Sequence, residues 1–305
     1  MEKYDVIVIG AGPGGMTSAL YASRANLSVL MIDRGIYGGQ MNNTAEIENY
    51  PGFKSILGPD LAKNMYESST NFGAKYEYGT VESIEDKGTS KIVNTDQGSY
   101  ETSSVIIGTG SQYRKLGVPG EDEYGGRGVS YCAVCDGAFF KNREVVVVGG
   151  GDSAISEALY LAGLASKVTV IHRRDQLRAQ KVIQDRAFAN DKIEFIWDTN
   201  VTEVIGDDMK VTGVKTVNNK TNEESVVDAS GVFIYVGNNP MTEAFANLNI
   251  TDEKGWIKTN ERMETAIDGV FAIGDVRQKE LRQVTTAVGD GGIAGQNAFE
   301  YVSSL

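Results

Sequence analysis

Two cysteines are present in the chain, and they stand in a single stretch, Gly128-Val129-Ser130-Tyr131-Cys132-Ala133-Val134-Cys135-Asp136-Gly137. A bridge across so short a loop constrains the unfolded chain little, so stability is a poor reason for one. Zinc needs about four ligands, and two cysteines with the single histidine do not supply a set within one protomer. A Cys-x-x-Cys pair in a reducing compartment reads instead as a redox couple cycling between dithiol and disulfide. Asp136 adjoins Cys135. A carboxyl there is placed to give or relay a proton as thiol and thiolate interconvert, a reading preferred to simple capping. Phe139 and Phe140, just beyond, read as core; an exposed one would be a candidate protein contact.

A second kind of chemistry is written in glycine. Val6-Ile7-Val8-Ile9-Gly10-Ala11-Gly12-Pro13-Gly14-Gly15 has a partner 139 residues later, Val145-Val146-Val147-Val148-Gly149-Gly150-Gly151-Asp152-Ser153-Ala154. At the same offset Ala19-Leu20-Tyr21 matches Ala158-Leu159-Tyr160, and Val29 to Ile32 matches Val168 to Ile171. A glycine turn between an apolar strand and a helix lets backbone approach a pyrophosphate, whose charge is held by amides at the helix N-terminus. Gly10, Gly12 and Gly15 take those places in one copy, and Gly149, Gly151, Asp152 and Ser153 in the other.

The end of the following strand separates the two cofactors. It lies 23 residues beyond the lead glycine and holds Asp33 in the first copy and His172 in the second. Asp33 can accept hydrogen bonds from an unphosphorylated ribose and would repel a 2′-phosphate, so the first unit suits FAD or NAD. His172-Arg173-Arg174, with Arg178 one turn further on, offers cations that can clamp a 2′-phosphate, so the second unit should prefer NADP. Asp175 would position one of the arginines.

These elements need a frame, and the composition permits one. At 305 residues, 41% hydrophobic and 23% charged, the chain reads as an ordinary globular protein of about two domains. A net charge of −12 makes nucleic acid an unsuitable partner. The first strand begins at about Tyr4, leaving no room for a signal region, and no apolar run approaches membrane-spanning length. With two cysteines only, the expected location is the cytoplasm.

The expected fold class is α/β, with two Rossmann-like nucleotide-binding domains, the NADPH domain inserted into the FAD domain. The first unit should run through a helix from Pro59 to about Phe72 to the strand ending at Ile107. The second should close with the strand from Gly231, broken by Asn238-Asn239-Pro240. The segment from Gly269 through an apolar helix to Val302 is too small to stand alone and should return to the first unit. The expected domains are residues 1–115 with 245–305 for FAD, and 116–244 for NADPH and the cysteine pair.

Taken together, these residues resemble the bacterial low-molecular-weight thioredoxin reductases, essentially end to end. The resemblance is carried by Gly10 to Gly15, Gly38-Gly39-Gln40, Glu48-Asn49-Tyr50-Pro51, Cys132-Ala133-Val134-Cys135-Asp136, Gly149 to Ala154, His172-Arg173-Arg174-Asp175, and Gly274-Asp275 with Arg282-Gln283. The cysteine pair inside the NADP unit is its specific mark. The resemblance implies FAD contacts from Gly12, Asp33, Gln40, Asn49, Asp275 and Gln283, and a homodimer. It implies that Cys135 faces the flavin while Cys132 attacks a thioredoxin disulfide, with electrons passing from NADPH through FAD to the Cys132–Cys135 disulfide. The helix end near Arg282 is expected to stabilise negative charge on reduced flavin. Nicotinamide and disulfide share one unit and need the same flavin face, so that unit is expected to rotate between half-reactions. Gly14 and Gly108 replace alanines common in the family, and Asp33 a longer glutamate. Reductases of another thiol-disulfide acceptor, such as a small disulfide or a peroxiredoxin system, and a flavin redox sensor without turnover, are the alternatives.

Overall fold

In the computed structural model, residues 1–44 and 46–305 are described, and the chain divides into two compact units. One comprises Met1–Gln112 with Asn239–Leu305, the other Tyr113–Asn238. The junctions fall a few residues earlier than the sequence placed them, because the segments at Ser111–Tyr113 and Asn238–Pro240 pair with each other as a two-stranded ribbon.

The first unit is built on a seven-stranded sheet. Its centre is the strand Glu2–Ile9, parallel to Val29–Asp33 on one side and to Gly98–Ile107 on the other. Val6 to Ile9 are buried, as continuous apolar strands covered on both faces must be. Lys75–Tyr78 adds in parallel beyond Val29–Asp33, and the antiparallel strands Lys91–Thr95 and Val81–Asp86 extend the other edge. Val270–Ala272 pairs in parallel with Val105 to Ile107, which places the late segment of the chain in this sheet. Helices α1 (Pro13–Arg24) and α2 (Gly58–Thr70) cover it with the long C-terminal helix Val284–Ser303.

The second unit repeats the plan with five parallel strands, in the order Val129–Ser130, Gly231–Tyr235, Glu144–Gly149, Lys167–Ile171 and Ile193–Ile196. The short helix α3 (Ala133–Asp136), then α4 (Asp152–Ala162) and α5 (Lys181–Phe188), accompany it; the C-terminal helix Val284–Ser303 is therefore α6. An antiparallel sheet of Thr199–Gly206, Val211–Asn218 and Glu224–Asp228 completes the unit. No helix among the described residues is long and apolar enough to cross a membrane.

Candidate functional site

Each glycine turn lies at the carboxyl end of its unit's central strand, where open α/β sheets bind ligands. Gly10 has φ +103° and Gly149 φ +151°, a region closed to most side chains. A Cβ at Gly10 would strike the Gly108 carbonyl, and one at Gly149 the Tyr235 carbonyl. The helices then begin alike: Gly12 caps α1 with φ −75° and ψ −175°, and Gly151 caps α4 with φ −95° and ψ −178°. A Cβ at either cap would meet nothing within 4 Å. Both helix N-termini therefore present their unpaired N–H groups to an open cradle, the arrangement that holds a pyrophosphate.

Asp33 ends the strand Val29–Asp33 and is tied to the first turn itself. Its Oδ2 accepts from Ala11 N at 2.7 Å and its Oδ1 from Gly35 N at 2.9 Å. Carboxylate oxygens accept more than one hydrogen bond each, so capacity for ribose hydroxyls remains. The unit also draws Asn49 and Gln283 together: Asn49 Nδ2 donates to Gln283 Oε1 at 3.1 Å, and Gln283 is the N-cap of α6. Gln40 lies in the 3₁₀ turn Gly39–Asn43, its Oε1 accepting from Asn43 Nδ2 at 3.2 Å. Asp275 sits in the turn Gly274–Val276, and burial above all pushes its carboxyl up, with Lys279 and Arg282 opposing.

Arg282 is less available than its sequence position suggested. Its guanidinium lies 3.7 Å from the centre of the Trp256 ring and donates to the carbonyls of Asp275 at 3.2 Å and Arg277 at 3.0 Å. It braces the turn that carries Asp275. Asp290, which sequence reasoning missed, supports the same turn. It accepts from Gly274 N at 2.9 Å and pairs with Arg277 at 2.8 Å and Lys279 at 2.7 Å. An acidic residue inside a helix at this distance along the chain gives no signal of such a role.

In the second unit the structure separates His172 from its arginines. His172 is buried, its Nε2 unpartnered among the described residues, and burial together with Arg178 lowers its pKa. Its ring packs under the glycine turn: a Cβ on Gly150 would come within 2.5 Å of it. The neutral imidazole is thus a wall of the cradle, while Arg173, Arg174 and Arg178 remain exposed. Asp152 does not face outward alone; its carboxylate accepts from Gln180 N at 2.7 Å and Gln180 Nε2 at 3.0 Å, strapping the arginine loop to the head of α4. Ser153 is exposed beside it. The ion pair Asp175 makes is with Lys220 at 3.5 Å, and the expectation that it positions an arginine is replaced by that contact.

Cys132 and Cys135 are bonded to each other, their Cα atoms 5.3 Å apart. Cys132 is the N-cap of α3, and Cys135 N donates to Cys132 Sγ at 3.2 Å. An amide aimed at that sulfur favours negative charge on it. Cys135 is exposed and Cys132 half-buried. Asp136 reaches the pair through a hydroxyl: Ser130 Oγ donates to Asp136 Oδ2 at 2.6 Å and accepts from Cys132 N at 3.0 Å. Phe140 is buried, as expected, but Phe139 is 75% exposed three residues beyond the end of α3. Tyr131, before the pair, stacks on Tyr113 and donates to the buried Glu121 at 2.6 Å.

A disulfide built beside one of two dinucleotide cradles defines a nucleotide-dependent disulfide oxidoreductase. The chain belongs to the pyridine nucleotide-disulphide oxidoreductase family, whose model matches residues 4–291. It is 59% identical to a thioredoxin reductase of Listeria monocytogenes, over 99% of this chain and 95% of that one. With a thioredoxin reductase of Bacillus subtilis it shares 57% identity, over 99% of this chain and 96% of that one. Among solved structures, Lactococcus lactis thioredoxin reductase superposes with a TM-score of 0.98 at 54% identity, covering 99% of this chain and all of that one. The thioredoxin reductase of T. acidophilum follows at a TM-score of 0.95 and 37% identity, covering 98% of this chain and 99% of that one.

Proposed function

We propose that the chain is a thioredoxin-disulfide reductase drawing its electrons from NADPH by way of FAD. The observation that carries this reading is the Cys132–Cys135 bond on the same unit as the arginine-flanked cradle. Residues 1–112 with 239–305 would hold FAD, through the open Gly12 cap, Asp33, Gln40, Asn49, Asp275 and Gln283. The fit is supported by the empty space over Gly12 and by the Asn49–Gln283 pairing beside the N-terminus of α6. Residues 113–238 would hold NADPH, its pyrophosphate at Gly151 to Ser153 and its 2′-phosphate on Arg173, Arg174 and Arg178.

Bound in the first cradle, FAD supplies a two-electron relay between a hydride donor and a disulfide. The residues of the chain do the rest. Two electrons cleave the Cys132–Cys135 bond; Cys135 N–H holds charge on Cys132, and Asp136 with Ser130 Oγ offers a path for the proton that one sulfur takes up. Cys132 then attacks the thioredoxin disulfide and one thioredoxin thiolate leaves. Cys135 resolves the mixed disulfide, restoring the Cys132–Cys135 bond and releasing dithiol thioredoxin. Because nicotinamide and disulfide both ride on the second unit, that unit turns about its two connections between half-reactions. The protein acts in the cytoplasm as a homodimer.

The test is steady-state oxidation of NADPH and NADH by the purified flavoprotein, with oxidised thioredoxin or a small disulfide as acceptor. NADPH should be preferred at least tenfold in kcat/KM, with turnover requiring thioredoxin. A Cys132→Ser protein should keep its flavin absorbance and lose thioredoxin reduction. Equal use of both nucleotides, or turnover without any disulfide, would overturn the reading.

A further inference from the structure

Beneath the redox pair lies a second carboxyl that the reaction above does not use. Glu157 stands in the middle of α4, and its carboxyl is hydrogen-bonded by Ala133 N, the amide that immediately follows Cys132, and by the Tyr235 hydroxyl. The Tyr235 hydroxyl itself accepts from Ala133 N at 3.0 Å, so acid, phenol and amide meet at one point under the first turn of α3. Glu157 Oε2 is sealed from solvent and has no partner among the described residues. A merely structural acid would be expected to satisfy both oxygens, since an orphaned charged oxygen is costly.

The titratable groups that face it are few. Tyr235 comes from the end of the strand Gly231–Tyr235 and Tyr113 from the entry to the unit, while Asp136 of α3 acts on the Tyr235 hydroxyl. Of the charged residues on the other elements packed on α4, Lys167 pairs with Glu194 and Lys181 with Asp185; neither these nor Glu144 and Arg186 are among the groups that act on Glu157. No cation offsets Glu157 among the groups that act on it, and burial pushes its carboxyl up to about 7. The same burial, with Glu157 adding, pushes the Tyr113 hydroxyl up to about 12.

We propose that Glu157 is a positioning residue of the redox centre, which raises the proton affinity of the Cys132 thiol when ionised and releases it when neutral. The inference rests on the redox role of Cys132. The step balances simply. The Cys132 thiol gives its proton to solvent and becomes a thiolate; with Glu157 ionised this adds a second negative charge beside the Ala133 amide that already bonds the carboxylate, so either the thiol keeps its proton or Glu157 takes one from solvent. Above neutrality the pair therefore shares a proton that a lone thiol would lose.

The test reads the thiol directly, so its failure is separable from a failure of the thioredoxin reading. The holoprotein is reduced with a phosphine, and alkylation of Cys132 by iodoacetamide is timed by mass spectrometry between pH 5.5 and 8. Glu157→Gln should be alkylated about tenfold faster than wild type near pH 7.5, with the ratio falling to one at pH 5.5, where wild-type Glu157 is neutral. Glu157→Asp, which keeps the acid, should retain the wild-type pH profile of alkylation, and Glu157→Leu serves as the neutral variant if the Gln protein proves hard to prepare. A ratio that stays constant across the pH range, whether one or any other value, is what packing alone would give and overturns the proposal.

Discussion

At the scale of single residues, the two cradles differ less by what touches a phosphate than by what supports the turn. Asp33 is bound to its own glycine turn through Ala11 N, and His172 lies under Gly150 with its ring edge-on to Trp197. Gly150→Ala would drive a methyl into the His172 ring, which is buried and cannot swing out. We expect a loss of about 1–3 kcal/mol on that account, seen as a lowered thermal midpoint together with a raised KM for NADPH and an unchanged flavin content. A variant as stable as wild type would show that the ring is not a fixed wall. The residue types at these positions were legible because acid and cation occupy the same register 23 residues past each lead glycine. The burial of His172 was not legible, since a histidine beside two arginines reads equally as a surface cation. Glu157 was invisible for a different reason: one acid within an apolar helix looks like a solvated position until the strand carrying Tyr235 is folded against it.

At the scale of elements, the first cradle depends on the meeting of α1, the strand Gly98–Ile107 and the segment before α6. Ile273 is the side chain that fills this junction: a Cβ at Gly108 would approach it to 3.1 Å and one at Gly14 to 3.2 Å. The alanine methyls common in the family would crowd Ile273 at Gly108, and at Gly14 the Ala287 carbonyl, 3.0 Å away, as well as Ile273. Ile273 is 1% exposed, so Ile273→Ala should cost about 2–4 kcal/mol by leaving a cavity. Gly108→Ala alone should cost about 1 kcal/mol or more by overpacking. The double variant should be more stable than the sum of the two by about 1 kcal/mol, as measured by denaturant unfolding of the apoprotein. Strict additivity would mean that Ile273 does not explain the glycines. Strand and helix existence was readable from apolar runs and caps, as with α2, whose Pro59 lies at its first turn. The compensation was not, because it joins residues 14, 108 and 273, which only the parallel pairing of Val270–Ala272 with Val105 to Ile107 brings together.

At the scale of the whole molecule, duplication and the return of the C-terminal segment could both be read from a fixed offset and from a fragment too small to fold alone. The junctions could not, because the pairing of Ser111–Tyr113 with Asn238–Pro240 is carried by backbone and leaves no pattern in side chains. The proposed rotation of residues 113–238 about those junctions makes a kinetic demand. A non-reducible cross-link between engineered cysteines, one in each unit, should lower full turnover at least tenfold while one half-reaction survives in rapid-mixing experiments. Full turnover by the linked protein would remove the need for rotation. The strap from Asp152 to Gln180 carries a last consequence: the arginine loop proposed to distinguish the nicotinamide dinucleotides hangs from the head of a helix, outside the parallel sheet. On that proposal, descendants of this chain could change their preferred electron source by altering three exposed arginines, leaving the sulfur chemistry as it was.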